Sequence, residues 1–355
     1  MHMYSFRNDY SEGAHPVIME RLLELNQCQN VGYGEDALCE QAKRQLKAKL
    51  HCEDCDIHFL VGGTQANLTV IAGALRPYEA VIAVDSGHIN VHETGAVEAT
   101  GHKVLIAEGV DGKITPQGIR KTVLSHEDEH MVKPAMVYIS NATEIGTIYH
   151  KEELKQIAEV CREFGLYLFM DGARMGAALA AKDNDVSFND LCTYCDVFYL
   201  GGTKNGALFG EAVIIVNDKL KKDFRYMIKQ RGGMLAKGWL LGVQFAALFE
   251  RNRYIEIAAH ANRMAQKLQD AMEASGLPFL IKTTTNQIFP VLPNLLIEEL
   301  QKEYAFQVWE TMDEEHTAMR FVTSWATEEK EVDRFIEYLN SLLQRMRESG
   351  QESER

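Results

Sequence analysis

Short apolar segments alternate with segments of helical periodicity over the first part of the chain. Mostly apolar runs bounded by turn residues are typical of buried strands, whereas apolar residues spaced three and four positions apart are typical of amphipathic helices. Strands are predicted at Asp56–Val61, Ala80–Val84, Lys103–Ala107, Ala135–Ser140, Leu166–Met170, Asp196–Leu200 and Glu211–Val216. Helices are predicted at Asp36–Leu50, Asn67–Leu75 and Lys151–Phe164. This alternation favours an α/β fold with a seven-stranded, mostly parallel sheet between helices.

The pattern changes after Val216. A helix-rich stretch is followed by two predicted strands, near Gln287–Val291 and Met319–Val322, and by an amphipathic helix from Glu329 to about Met346. This arrangement is typical of a smaller α+β domain. The predicted division is an N-terminal arm with a large α/β domain at 1–250, a small domain at 251–348 and a polar tail at 349–355.

Composition narrows the class of ligand. Of the 355 residues, 46% are hydrophobic and 25% are charged, as in folded globular proteins. The 37 Lys and Arg against 51 Asp and Glu leave a net charge of −14, the wrong sign for binding nucleic acid through its phosphates. No apolar run approaches the roughly 20 residues of a membrane span, and the first residues lack a signal-peptide core. We expect a cytoplasmic protein that binds a small molecule and contacts neither nucleic acid nor membrane.

Two pairs of cysteines are candidate ligands for a metal ion. Seven cysteines are an odd number, which favours reduced thiols over a disulfide framework. The pairs Cys52/Cys55 and Cys192/Cys195 together offer four possible zinc ligands. They are far apart in the sequence, 192 − 55 = 137 positions, and no histidine cluster accompanies them. We therefore expect no metal, and a zinc-dependent hydrolase is a remote alternative.

Candidate ligand-binding residues follow several of the predicted strands, where open α/β sheets bind their ligands. The turn Gly62–Asn67 opens a helix, and its backbone N–H groups and the Thr64 hydroxyl can bind a phosphate, although such turns often only reverse the chain. His88 follows another strand and can lie flat on an aromatic cofactor, or else bond to nearby backbone.

Two more strand ends carry ionisable side chains, Asp171 and Lys204. A lysine at such a place can form a Schiff base with a carbonyl compound, and a neighbouring carboxylate can bind a protonated ring nitrogen. Taken singly, Asp171 is better explained as a helix cap and Lys204 as a solvated charge. Together with the phosphate turn, the two residues favour binding of a ligand that carries a carbonyl group, a protonated ring nitrogen and a phosphate.

The order and spacing of these motifs resemble the low-specificity threonine aldolase and β-eliminating lyase family of pyridoxal 5′-phosphate (PLP) enzymes, over nearly the whole chain, and the resemblance implies that PLP is the cofactor. The resemblance implies the aspartate-aminotransferase fold (fold type I). It further implies that Gly63 and Thr64 bind the cofactor phosphate, that His88 stacks on the ring, that Asp171 binds the ring nitrogen and that Lys204 forms the Schiff base.

The resemblance also implies how the substrate is bound. Met319–Ser324 is similar to the strand whose arginine, here Arg320, grips the substrate carboxylate, a task suited to bidentate guanidinium geometry. The alternative for Arg320 is an ion pair at the rim of the protein. Asn8, Tyr33 and Arg174 are expected to assist, and Arg174 also to contact the hydroxyl of the ring.

The chain departs from the family pattern at two places. Several family members have a histidine, which contacts the substrate hydroxyl, where this chain has Glu144, so the base could be Glu144, His88, His92 or a bound water. A low-specificity branch of the family also lacks that histidine. In the loop 230–237, which in the family reaches the cofactor phosphate of a neighbouring subunit, Arg231 or Lys237 would supply the charge, or both are solvated.

The predicted reaction is cleavage of L-threonine or L-allo-threonine to glycine and an aldehyde, through an aldimine at Lys204 and a quinonoid intermediate. One alternative is β-elimination from a serine or cysteine derivative with the same cofactor. Another is a protein that binds PLP without turnover. A homo-oligomer, dimer or tetramer, with active sites between subunits is expected, since two-fold symmetric assemblies are the commonest.

Overall fold

The computed structural model describes residues 3–353. The strands are β1 (Tyr4–Ser5), β2 (Asp56–Leu60), β3 (Glu79–Val84), β4 (Val104–Ala107), β5 (Gly109–Val110), β6 (Lys113–Ile114), β7 (Lys133–Ser140), β8 (Tyr167–Asp171), β9 (Val197–Gly201), β10 (Glu211–Ile215), β11 (Phe279–Ile281), β12 (Gln287–Pro293), β13 (Tyr304–Ala305), β14 (Gln307–Thr311) and β15 (His316–Val322).

The α-helices are α1 (Pro16–Leu25), α2 (Ala37–Leu50), α3 (Gly63–Ala74), α4 (His88–Val91), α5 (Pro116–Leu124), α6 (Lys151–Phe164), α7 (Met175–Leu179), α8 (Phe188–Tyr194), α9 (Asp218–Lys221), α10 (Phe224–Gln230), α11 (Trp239–Leu248), α12 (Arg253–Ala274), α13 (Asn294–Leu300) and α14 (Glu329–Ser353). A 3₁₀ turn spans Glu98–Thr100.

The main sheet has seven strands in the order β2-β10-β9-β8-β7-β3-β4. Only β10 is antiparallel to its neighbours β2 and β9, and the remaining pairs are parallel. All seven predicted strands are present, each within two residues of its predicted bounds. The predicted α/β class with a mostly parallel sheet is confirmed.

Helices cover both faces of this sheet. Successive residues of β3 enter different cores: Ile82 lies in one hydrophobic cluster and Val81 and Ala83 in the other. Leu154 of α6 packs in the first cluster and Val70 of α3 in the second. Burial on both faces explains why these strands appear in the sequence as continuous apolar runs.

Helix α3 begins earlier than predicted, at Gly63 instead of Asn67. Its N-cap is Gly62, which has no side chain to bond the first N–H groups of the helix. By contrast, α2 is capped by the Asp36 carboxylate, which accepts from Leu38 N and Cys39 N. The first turn of α3 therefore keeps its N–H groups for a ligand.

A second sheet, β11-β12-β15-β14, is antiparallel throughout and contains both strands predicted after residue 250. It packs on α12 and α14 around a core that includes Phe321 and Phe335. Phe6 from the N-terminal arm is buried in the same core, so the arm is anchored to this second sheet and its helices. The domain boundary at 250/251 stays a prediction.

Helix α14 continues past the predicted end near Met346 to Ser353. Residues 347–353 are polar, but Glu, Arg and Gln are good helix formers, so polarity alone does not end the helix. The predicted polar tail at 349–355 therefore begins inside a helix, and residues 354–355 lie outside the described residues.

The cysteine pairs meet in space although they are far apart in sequence. Cys52, Cys55, Cys192 and Cys195 all pack at one hydrophobic cluster and are free thiols. Burial raises the pKa of Cys55 to about 12, so this thiol stays protonated. Within residues 3–353 no group of three or more His, Cys, Asp or Glu side chains is placed to bind a metal ion. No helix in the same range is long and apolar enough to cross a membrane.

Candidate active site

A cavity of ≈ 280 Å³ lies at the edge of the main sheet where its parallel strands end. Ser140, Asp171 and Gly201 end the neighbouring strands β7, β8 and β9, which brings the loops after them together. Seven of the residues predicted for the site line this cavity: Gly63, Thr64, His88, Glu144, Asp171, Arg174 and Lys204.

Asp171 ends β8 with a carboxylate that is 4% exposed. Its Oδ2 accepts from the Tyr138 hydroxyl at 2.6 Å and from Asn67 Nδ2 at 3.1 Å, and its Oδ1 accepts from Ala173 N at 2.9 Å. Burial alone would raise the pKa of Asp171, but the imidazole of His88 and these donors hold it below its ordinary value. The carboxylate is therefore ionised and suited to bind a protonated ring nitrogen.

Gly172 allows this strand end to approach β9. A Cβ atom at that position would lie 1.8 Å from the carbonyl oxygen of Tyr199. Any other residue would push β8 and β9 apart, and with them Asp171 and the loop that carries Lys204.

His88 is the first residue of α4 and reaches the cavity with its ring. Its Nδ1 lies 2.8 Å from Glu93 Oε1, which also accepts from Asn67 Nδ2 at 2.7 Å. The Glu93 side chain has no exposed surface, and it does not line the cavity itself but contacts His88, which does. A carboxylate at Nδ1 fixes the proton there and orients the ring. Glu93, Asn67, Asp171 and His88 form one hydrogen-bonded network.

Glu144 lies in the loop after β7, and its two oxygens differ. Oε1 accepts from Ser140 Oγ at 2.7 Å and from His88 N at 3.0 Å, whereas Oε2 is buried and has no hydrogen-bond partner in the described part of the chain. Burial and the negative charge of Asp171 raise the pKa of Glu144. A buried unpaired carboxyl oxygen that borders a cavity is a site for a ligand donor.

Lys204 lies in the loop between β9 and β10. Burial and the neighbouring guanidinium of Arg174 lower the pKa of its amine, while Asp9, Asp171 and Glu211 act in the opposite direction. A lysine with a lowered pKa is more often neutral, as a nucleophilic amine must be.

Arg174 follows β8 and forms a two-point ion pair with the arm. Its Nε and Nη2 lie 2.7 Å and 3.1 Å from the two oxygens of Asp9. Asn286 Nδ2 also donates to Asp9, at 2.9 Å. Asp9 is buried, and its pKa is lowered because Arg174 and Lys204 outweigh the effect of burial. The arm thus neutralises Arg174 at the cavity.

The first turn of α3 closes the remaining side. Gly63 and Thr64 line the cavity, and a Cβ on Gly63 would lie 2.9 Å from the Tyr199 hydroxyl. Because α3 is twelve residues long and its first N–H groups have no side-chain cap, this end of the cavity suits a phosphate.

Arg320 does not line the cavity, but it lies close enough for its charge to be felt there. Burial and the positive charge of Arg174 lower the pKa of Arg320 to about 10. Its guanidinium bonds to the neutral amides of Gln287 and Gln307, and its Nε is buried without a partner among the described residues. No carboxylate of residues 3–353 forms a salt bridge with it, in contrast to Arg174.

Besides Arg320, four more predicted residues do not line the cavity. The Asn8 side chain accepts from Tyr10 N and Ser11 Oγ in its own turn. Tyr33 is 47% exposed with Lys229 Nζ 4.9 Å from its ring centroid, and Lys237 is exposed. Arg231 lies nearer to the first turn of α3, since its carbonyl oxygen accepts from Gln65 Nε2 of that helix. The roles of these four residues stay predictions.

Sequence reasoning missed Asp9, Glu93 and Glu211. Asp9 stands next to Asn8, to which the substrate role was given. Glu93 follows His88 by five positions, and nothing in the polar segment after Val84 distinguishes it from its neighbours. Glu211 is a charged residue at the first position of an otherwise apolar strand, Glu-Ala-Val-Ile-Ile, a signal that was available.

These features fit PLP. The cavity offers an uncapped helix end for the phosphate, an ionised buried carboxylate for the ring nitrogen, an oriented imidazole and a lysine amine of lowered pKa. Thermus thermophilus aspartate aminotransferase has the same fold, with a TM-score of 0.69 at 13% identity over 95% of this chain and 91% of that one. The protein is thus of the aspartate-aminotransferase fold class, as predicted.

The family follows from closer matches. The family model described as beta-eliminating lyase matches residues 6–294. The low specificity L-threonine aldolase of a Pseudomonas species is 34% identical over 92% of this chain and 94% of its own length. A threonine aldolase structure from Leishmania major has a TM-score of 0.95 and 48% identity, over 96% of this chain and 99% of that one. The chain belongs to the beta-eliminating lyase family and is a PLP-dependent lyase.

Proposed function

We propose that this chain is a threonine aldolase that cleaves β-hydroxy-α-amino acids such as L-threonine and L-allo-threonine into glycine and an aldehyde. The observation that carries the proposal is the cavity in which Lys204, Asp171, His88 and Glu144 meet. The similarity to threonine aldolases over nearly the whole chain supports the same reaction.

Four contacts would hold the cofactor. Lys204 Nζ would bind the carbonyl carbon of PLP, the Asp171 carboxylate its ring nitrogen, and the first turn of α3 with Thr64 its phosphate. His88 would lie against the ring. When bound, PLP supplies a positively charged ring that accepts the electron pair released at the substrate Cα.

Arg320 would bind the substrate carboxylate. Arg174 is already neutralised by Asp9, whereas the hydrogen bonds of Arg320 are to neutral glutamines, so its full charge is free for an anion. Fixing the carboxylate determines which bond at Cα stands perpendicular to the ring, and hence which bond breaks. Arg174 and Asn8 would assist from the arm side.

Glu144 would take the proton from the β-hydroxyl. Glu144 lines the cavity, and its Oε2 has no hydrogen-bond partner among residues 3–353, while Ser140 Oγ and His88 N donate to Oε1. Its raised pKa brings it nearer to that of an efficient general base at neutral pH. His88 is less suited, since Glu93 and the expected contact with the ring already occupy it.

The subunit arrangement forms part of the proposal. Tyr33 and Lys237 are exposed and do not line the cavity, so their expected contacts with a substrate and a cofactor phosphate would be made in a neighbouring subunit. We propose a homo-oligomer, dimer or tetramer, on this basis. Seven free cysteines support a reducing, cytoplasmic location.

The products test the proposed reaction. The purified protein with PLP is incubated with L-threonine, L-allo-threonine and a cysteine conjugate, and glycine, aldehyde, ketoacid and ammonia are measured. Glycine and acetaldehyde in equal amounts are expected from the first two substrates. Ketoacid and ammonia without glycine would instead assign β-elimination, the reaction after which the family is named.

A further inference from the structure

Glu211 is a buried ionisable group that the proposed reaction does not use. It is the first residue of β10 and pairs with Gly201, the last residue of β9. Its side chain is directed back toward the loop that joins the two strands. It is 3% exposed and lines the same cavity as Lys204.

The Glu211 carboxyl closes the loop that carries Lys204. Its Oε2 accepts from Gly202 N at 3.1 Å and its Oε1 accepts from Thr203 Oγ1 at 2.8 Å. Thr203 Oγ1 in turn accepts from Gly210 N at 3.0 Å. Gly202 and Thr203, the two residues before Lys204, therefore both donate to one carboxyl group. Gly210, at the other end of the loop, donates to the hydroxyl of Thr203.

The charges around Glu211 favour a link to the lysine. Burial raises the pKa of Glu211 to about 8, while the Thr203 hydroxyl, the charge of Lys204 and Gly202 N act in the opposite direction. Asp171 of β8 opposes its ionisation, and the hydroxyls of Tyr199 and Tyr254 are the other titratable groups that feel its charge. The positive charge of Lys204 lowers the pKa of Glu211, and the negative charge of ionised Glu211 in turn raises the pKa of Lys204.

We propose that Glu211 is a positioning residue for Lys204: its buried carboxyl fixes the loop, and, once that carboxyl is ionised, its negative charge raises the pH at which the Lys204 amine loses its proton. The inference rests on the proposed role of Lys204 as the residue that binds PLP. A nearby anion stabilises the ammonium form, so Glu211 delays the appearance of the neutral amine as the pH rises. Arg174 has the opposite effect on the same amine, and its ion pair with Asp9 weakens that effect.

The test is the rate at which the full chain, freed of PLP, forms an imine when PLP is added at a series of pH values. The rate is followed by visible absorbance, and it rises to a plateau as Lys204 loses its proton. In Glu211→Gln the midpoint of this rise is expected to move to lower pH by about one unit, about a tenfold change in the neutral fraction at a given pH. Glutamine retains the shape and can still bond Gly202 N and Thr203 Oγ1.

Two further variants separate charge from loop geometry. Glu211→Asp keeps the charge and should keep the wild-type midpoint. Thr203→Ala keeps the carboxyl but loosens the loop, and it should lower the plateau rate more than it moves the midpoint. An unchanged midpoint in Glu211→Gln, or an equal shift in Thr203→Ala, would overturn the proposal.

A Lys204→Ala variant distinguishes this inference from the proposed function. If that variant forms the imine at the wild-type rate, Lys204 is not the residue that binds PLP and the proposed function fails. If Lys204→Ala is inert while Glu211→Gln behaves as wild type, only the inference about Glu211 fails. Circular dichroism of each variant checks that it is folded.

Discussion

The β8 end and the β7 end of the cavity each carry a buried carboxyl group, and the two behave differently. At the β8 end both oxygens of Asp171 accept hydrogen bonds, and its pKa is lowered. At the β7 end both donors bond Oε1 of Glu144, Oε2 has no partner within residues 3–353, and the pKa is raised. Burial is similar, so neighbouring charges and the placement of donors decide the charge: His88 stabilises the ionised Asp171, whereas Asp171 opposes ionisation of Glu144.

The difference assigns different tasks to the two groups. A carboxylate whose charge is fully stabilised can hold a cationic ring nitrogen at any physiological pH. A carboxyl group with one unpaired oxygen can bind a donor and take its proton. The predictions below test this contrast.

The largest effect is expected at Asp171. Asp171→Asn keeps the size of the side chain but removes the charge, and kcat/KM for threonine should fall by about 10² to 10³-fold. Tyr138→Phe removes one of the hydrogen bonds to Asp171 and should cost only about tenfold. Steady-state kinetics of both variants measure kcat/KM. If kcat/KM fell no further in Asp171→Asn than in Tyr138→Phe, the charge of Asp171 would not have the proposed role.

Glu144→Gln should reduce kcat by about 10²-fold, at the lower end of what a general base contributes. A base works ionised, so wild-type kcat/KM should fall as the pH drops through the raised pKa of Glu144. The glutamine variant should lack this acidic limb. Ser140→Ala removes a bond that lowers the pKa of Glu144, so its limb should move to higher pH. A pH profile of kcat/KM that is the same in all three proteins would exclude Glu144 as the base.

Arg320→Gln should raise the KM for threonine by about 10 to 100-fold. This is the loss of binding expected when charge-assisted hydrogen bonds to the substrate carboxylate are removed. Arg320→Lys keeps the charge but loses the two-point geometry, and it should lie between wild type and Arg320→Gln. Saturation curves for L-threonine measure this effect. A KM unchanged in Arg320→Gln would mean that the carboxylate is bound elsewhere, with Arg174 as the next candidate.

The smallest effect concerns stability. The pKa of Glu211 in the folded chain, about 8, lies above its ordinary value of 4.5, so the folded state holds a proton that the unfolded state releases between these values. Stability from this group is present below about pH 4.5 and is lost as the pH rises toward 8. For protein without PLP, the Tm of Glu211→Gln relative to wild type should therefore increase by at least about 2 °C between pH 5 and pH 8. A constant difference in Tm would show that Glu211 does not titrate in this range.

The strands and the residues at their ends were predictable because burial on both faces leaves a strong apolar signal. Lys204 and Asp171 follow such runs directly. Asp9 was not predictable, because its partner Arg174 is 165 positions away and nothing local distinguishes it from Asn8. Tyr33, Arg231 and Lys237 were predicted from the family pattern; they do not line the cavity, and their roles stay predictions.

The central claim is that Lys204 carries the cofactor in the cavity with Asp171. Borohydride reduction of the PLP-loaded protein, followed by digestion and mass mapping of the modified peptide, tests it most directly. The account predicts loss of the yellow colour and a pyridoxyl group on Lys204 alone. A pyridoxyl group on another lysine, with Lys204 unmodified, would contradict it.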